Sequence, residues 1–165
     1  MSPDLEDLWS IEVEFIMETS GFSRDVAIEG DLAVTAAGQS GIQVWDLDAL
    51  SRLHNFSGYM EGETFLEFDD LNLIEWDLVN NLIFATESNK DVKIFHFDGS
   101  DTLSYRNTIM SAKTKDFISF PSSIDQFIMY SADNDDGMKW HYYNLDTTNL
   151  FGGLEEFIAW TPFGG

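Results

Sequence analysis

The residues best suited to chemistry in this chain are carboxylates, and their densest run is Asp133-Asn134-Asp135-Asp136-Gly137. Carboxylate and amide oxygens set close together suit a hard cation, which makes Asp133, Asp135 and Asp136 a candidate calcium site. A helix-flanked calcium loop would want an acid at position 132 and a glutamate at 143, where this chain has Ala132 and Tyr143. A hairpin turn with Asp-Gly at its tip accounts for the same residues without a metal and is the preferred reading; calcium is the alternative. His54, His96 and His141 lie far apart and lack the one-turn spacing of a zinc-binding histidine pair, so packing or surface positions suffice for them. Asp69-Asp70 and Glu155-Glu156 offer paired carboxylates of the kind glycoside cleavage needs. Neighbours on a strand point to opposite faces, however, which favours solvated acids. The absence of cysteine removes thiol nucleophiles, thiolate metal sites and disulfides. Gly38-Gln39-Ser40-Gly41 reads as a hairpin loop and not as a nucleophile elbow or phosphate loop, and the sequon Asn55-Phe56-Ser57 matters only in a secreted protein.

Charge narrows the partners. Thirty Asp and Glu against 8 Lys and Arg give a formal net charge of -22, which repels phosphate backbones and anionic membrane surfaces. Nucleic acid is therefore not an expected partner, whereas a protein with a basic surface is. The same excess serves equally as a solubilising surface. No run approaches the ~18 apolar residues that span a bilayer, and the start Met1-Ser2-Pro3-Asp4-Leu5-Glu6-Asp7 lacks the basic and apolar regions of a secretory signal. A soluble chain is expected, with 44% hydrophobic and 15% aromatic residues to build a core.

The elements that must position these residues repeat. Gly41-Ile42-Gln43-Val44-Trp45-Asp46-Leu47-Asp48 aligns with Asp91-Val92-Lys93-Ile94-Phe95-His96-Phe97-Asp98 and with Gly137-Met138-Lys139-Trp140-His141-Tyr142-Tyr143-Asn144, the starts standing 50 and then 46 residues apart. Each is preceded by an apolar run, 32–36, 82–86 and 127–131, across a loop rich in Gly, Asn or Asp, so each unit holds a β-hairpin. A further strand precedes each hairpin at 25–29, 73–76 and 117–120, and a more polar one follows at 50–56, 102–109 and 149–155. Four short strands per ~45–50 residues is the arithmetic of a propeller blade. Trp45, Phe95 and Trp140 read as core between blades.

These residues carry a resemblance. The stretch from Arg24 to Leu47 resembles an LVIVD-type propeller repeat, and Trp45-Asp46 followed by Phe56-Ser57-Gly58 is similar to a WD repeat. The second unit has Phe95-His96 in that place, and the likeness runs over roughly residues 20 to 146. It implies a binding module and, for LVIVD-like proteins, an extracellular or cell-surface location if the N-terminus is truncated.

The expected fold is all-β: about three four-stranded antiparallel blades of an incomplete β-propeller, forming a single partial domain over 1–165. Its parts are a stray outer strand at about 11–17, blades at about 22–58, 71–110 and 116–155, and the inner strand of an unfinished blade at about 156–162. Propellers close with about four to eight blades. The faces near Val13, Phe15, Trp140 and Trp160 are therefore expected to stay open and to drive self-association, unless remaining blades of a longer chain cover them. The expected function is a non-enzymatic binding or scaffold module for protein–protein interaction. The alternative is a propeller enzyme or a calcium-dependent carbohydrate-binding protein with a carboxylate-lined central pocket, which a cluster of inward acids with raised pKa would favour.

Overall fold

The computed structural model describes residues 15–88, 90–109, 114–123, 126–133, 137–144 and 155–160, the last six and 122–123 and 143–144 by their backbone alone. Among the described residues the chain is all strand and turn, arranged in three sheets.

Sheet 1 runs β1 (Asp25–Glu29), β2 (Leu32–Ala36), β3 (Ile42–Asp46), β4 (Ser51–Phe56), each antiparallel to the next. Sheet 2 contains the hairpin β5 (Gly58–Glu61) and β6 (Thr64–Glu67), then β7 (Leu71–Asp77), β8 (Leu82–Glu87), β9 (Val92–Phe97) and β10 (Leu103–Ile109). Its spatial order is β6-β5-β10-β9-β8-β7. Sheet 3 runs β11 (Thr114–Ser123), β12 (Gln126–Asp133), β13 (Gly137–Asn144), β14 (Glu155–Trp160).

The turns follow from backbone chemistry. Asn81 takes φ 54 between β7 and β8, a left-handed conformation that asparagine tolerates. Asp77 braces that turn by accepting from the Asn80 amide at 3.1 Å and the Asn80 side chain at 2.6 Å. Gly41 takes φ 84 at the β2–β3 turn, where a Cβ would collide with the Phe56 carbonyl, so only glycine closes this hairpin.

The sheets stack through two apolar layers. Val34, Val44 and Phe56 of sheet 1 meet Ile74, Ile83, Phe95 and Phe97 of sheet 2. The alternate residues of sheet 2, among them Leu82, Phe84 and Ile94, meet Phe117, Phe127 and Met129 of sheet 3. Strand β8 is consequently buried along its whole length, which explains why Leu-Ile-Phe-Ala-Thr reads as a continuous apolar run instead of an alternating one.

Two expectations change, and one element is new. The segment at about 156–162, read as the inner strand of an unfinished blade, supplies β14, which pairs antiparallel with β13 as the fourth strand of sheet 3. The outer edge of β13 carries backbone donors and acceptors that need partners, and this segment fills them. Residues 149–154, read as that outer strand, lie outside the described residues, as do 11–14 and 161–162. Residues 15–17 form no strand, and Phe15 and Ile16 stand exposed. The hairpin β5–β6, unforeseen in the sequence, is joined to sheet 2 through Met60 and Ser104 and buries Tyr59 against Phe95 and Tyr105.

Candidate functional site

Sheet 3 turns one face to sheet 2, and among the described residues no other sheet packs on its opposite face. Directly paired residues share a face. Register therefore sets Ile118 beside Tyr130 and Trp140, Phe120 beside Ile128 and Tyr142, and Asp116 beside Ala132 and Met138, in three transverse rows. Phe127 and Met129, one step out of phase, are the buried side chains facing sheet 2. Of the outward residues, Ile118, Phe120, Tyr130 and Met138 are 39–48% exposed, and the rings of Phe120 and Tyr130 meet edge to face. These four side chains form an exposed apolar patch on one face of the sheet.

The other end of the stack differs. On the outward face of sheet 1, Ala33, Thr35, Gln43 and Trp45 are all buried. The Trp45 indole donates to Thr35 Oγ1 at 3.3 Å, and the Arg52 guanidinium lies 5.8 Å from the Trp45 ring centre. Arg52 also donates to Ser20 Oγ, which ties the residues before β1 to this end. Val26 and Ile28, at the β1 edge, and Leu53 on β4 stay exposed in this sheet.

The innermost strands β1, β7 and β11 bring carboxylates together. Asp25 on β1 accepts from the Ile74 amide of β7 at 2.9 Å, linking two sheets. Glu75, the next residue, is half-buried, and burial pushes its carboxyl up to about 7, with Asp25, Asp116 and Glu29 adding repulsion. Glu75 and Asp116 flank a cleft of about 360 Å3 walled by Phe117, Ile118, Tyr130 and Met138. The cleft is thus continuous with the open face of sheet 3.

The sequence candidates fall in different places. Asp133 ends β12 with its carboxylate buried, 2.8 Å from Lys139 Nζ and 3.4 Å from Thr114 Oγ1. Asp135 and Asp136 lie outside the described residues. Among the described residues no three His, Cys, Asp or Glu side chains gather to hold a metal. His54 stacks on Phe56 and sits 3.2 Å from Asp101, and burial with the nearby Arg106 lowers the pKa of His96. His141 is buried in sheet 3. Asp69 and Asp70 pair with Lys90 and Arg24 at 3.4 Å beside a separate hollow of about 570 Å3. Trp45 and Phe95 are buried, while Trp140 is half-exposed.

A recurring ion pair went unread. Glu87 and Lys93 are 2.8 Å apart, as are Asp133 and Lys139, and the registers of β8–β9 and β12–β13 put the two pairs at equivalent positions. Their common offset of 46 residues is the period already visible in the hairpins. Sheet 1 has Ala37 and Gln43 instead, and both polar atoms of the Gln43 amide are buried without a partner.

No protein-family model matches this chain, and no curated protein does. Solved structures do match. The chain is similar to Sqt1 of Saccharomyces cerevisiae at 11% identity and TM-score 0.59, over 86% of this chain and 35% of that one. A protein from Lactobacillus plantarum matches at 13% identity and TM-score 0.61, over 90% of this chain and 44% of that one. The computationally designed protein Ika4 matches at 15% identity and TM-score 0.53, over 89% and 78%. The chain thus spans about a third of the length of Sqt1. At these identities the likeness concerns fold alone. The chain has an all-β, propeller-like fold.

Proposed function

We propose that the three sheets are blades of an incomplete propeller with repeats of LVIVD or WD type, and that the chain is a non-enzymatic module that binds a protein partner. The observation that carries this reading is the uncovered apolar face of sheet 3, centred on Ile118, Tyr130 and Met138. Rings of this architecture close with about four to eight blades, so a third blade with a bare face calls for a neighbour. Affinity capture with the wild-type chain and with Ile118→Asp/Met138→Asp tests it. A macromolecular partner held by the first and lost by the second is expected. A partner held equally by both, or a small molecule that is turned over with no macromolecule bound, would count against it.

A second reading rests on Glu75. A carboxyl raised to about 7 beside Asp116 in a cleft is the feature that favours a carboxylate-lined pocket, in an enzyme or a carbohydrate-binding protein. Turnover or retention of an oligosaccharide by the wild-type chain, abolished in Glu75→Gln, would move the assignment to it.

A further inference from the structure

We propose that the outward face of sheet 3 docks a β-sheet of another protein, apolar at its centre and carrying lysine or arginine at the rim that meets Glu75 and Asp116. This deepens the interaction reading above and rests on it.

The stacking mode is already present in the molecule. Sheet 2 covers sheet 1 and sheet 3 covers sheet 2, each through an apolar layer of alternate strand residues. The open face repeats that pattern in the rows of Ile118, Phe120 and Met138.

A second copy fits this face poorly. Head-to-tail stacking would use the outward face of sheet 1, whose centre at Gln43 and Trp45 is already buried. Face-to-face pairing would bring together two chains of net charge -22 and two Glu75–Asp116 rims.

Charge selects the partner's chemistry. At both closed interfaces the chain sets a lysine against a buried carboxylate, Lys93 on Glu87 and Lys139 on Asp133, each at 2.8 Å. Among the described residues the charges acting on Glu75 are carboxylates: Asp25 and Glu29 from β1, and Asp116 from β11. A cation arriving with the partner would supply at this rim what the chain supplies elsewhere itself.

Two synthetic cyclic β-hairpins test this. They share one apolar face of valine, isoleucine and phenylalanine and differ in having lysine or glutamate at the remaining positions. Methyl NMR of Met138 follows binding. The lysine hairpin should shift Met138 saturably and bind at least tenfold more tightly than the glutamate hairpin. Glu75→Gln should weaken it about tenfold. Ile118→Asp/Met138→Asp, followed through Ile128, should abolish binding although it adds two negative charges. Equal binding of both hairpins, binding of neither, or undiminished binding to the double variant would overturn the proposal. A wild-type dimer seen by sedimentation and dissolved by Ile118→Asp would put a second copy on the face instead, and protection of Met138 in a longer chain would put a further blade there. Failure of the hairpins with partner capture intact would reject this partner chemistry and leave the interaction module standing.

Discussion

Lys93 Nζ lies 2.8 Å from Glu87 Oε2 at the junction of β8 and β9, on the side of sheet 2 that faces sheet 1. Lys90 at 3.1 Å and the Asp69 amide at 2.7 Å complete the shell around that carboxylate, and these contacts outweigh burial and hold its pKa below the usual range. Lys93→Met should therefore destabilise the chain by about 2 kcal/mol, less than the ~3–5 typical of an orphaned buried charge because Lys90 and the amide remain. Adding Glu87→Gln to Lys93→Met should recover part of the loss. Urea unfolding of the single and double variants checks both.

Opposite shifts at two glutamates set the pH profile. The Glu87 pKa is lowered in the folded chain, so its contribution is full above the unfolded value of ~4.3 and is lost as pH falls through the folded value. The Glu75 pKa is raised to about 7, so its contribution is full below ~4.3 and is lost as pH rises through about 7. Urea midpoints measured from pH 4.5 to 8 should fall more for the wild-type chain than for Glu75→Gln. Parallel profiles would show that Glu75 titrates normally.

Two glycines with left-handed backbones should respond differently to a methyl group. Gly30, at φ 59, has open space where a Cβ would stand, so Gly30→Ala should cost about 1–2 kcal/mol for conformation alone. Gly41→Ala adds a collision with the Phe56 carbonyl and should cost distinctly more, roughly 3 kcal/mol. Thermal unfolding of the two variants distinguishes these cases.

The buried amide of Gln43 has no hydrogen-bond partner, at a position where the other two sheets place a paired lysine. Gln43→Leu keeps most of the volume and removes the unmet polar atoms. It should raise stability by about 1 kcal/mol or more. A lower unfolding midpoint would mean that the amide is in fact satisfied.

The hairpins were legible because β2–β3, β8–β9 and β12–β13 are short apolar runs joined by Gly, Asn and Asp turns, which local chemistry dictates. The place of Glu155–Trp160 was not, since Phe157-Ile158-Ala159 resembles Phe117-Ile118-Ser119 and only the free edge of β13 decides where it pairs. The hairpin β5–β6 was hidden because each of its strands is only four residues long, and burial of Tyr59 beneath Phe95 is a tertiary effect. Asp133 was visible as an acid in a turn, but its partner Lys139 sits on the facing strand, where register and not proximity in sequence brings the two together. Glu75 gave no signal as a lone acid, because its shift comes first from burial in the fold and then from carboxylates on β1 and β11.

Accessibility of the two faces of sheet 3 tests the central claim most directly. The chain has no cysteine, so single thiols can be placed at Met138 on the outward face and at Met129 on the face toward sheet 2. In dilute solution without partner, Met138→Cys should react with a thiol reagent close to the free-peptide rate and Met129→Cys at least ~100-fold more slowly, since its thiol is reached only by opening of the stack. Equal, strong protection of both would contradict the open face, and with it the interaction module built upon it.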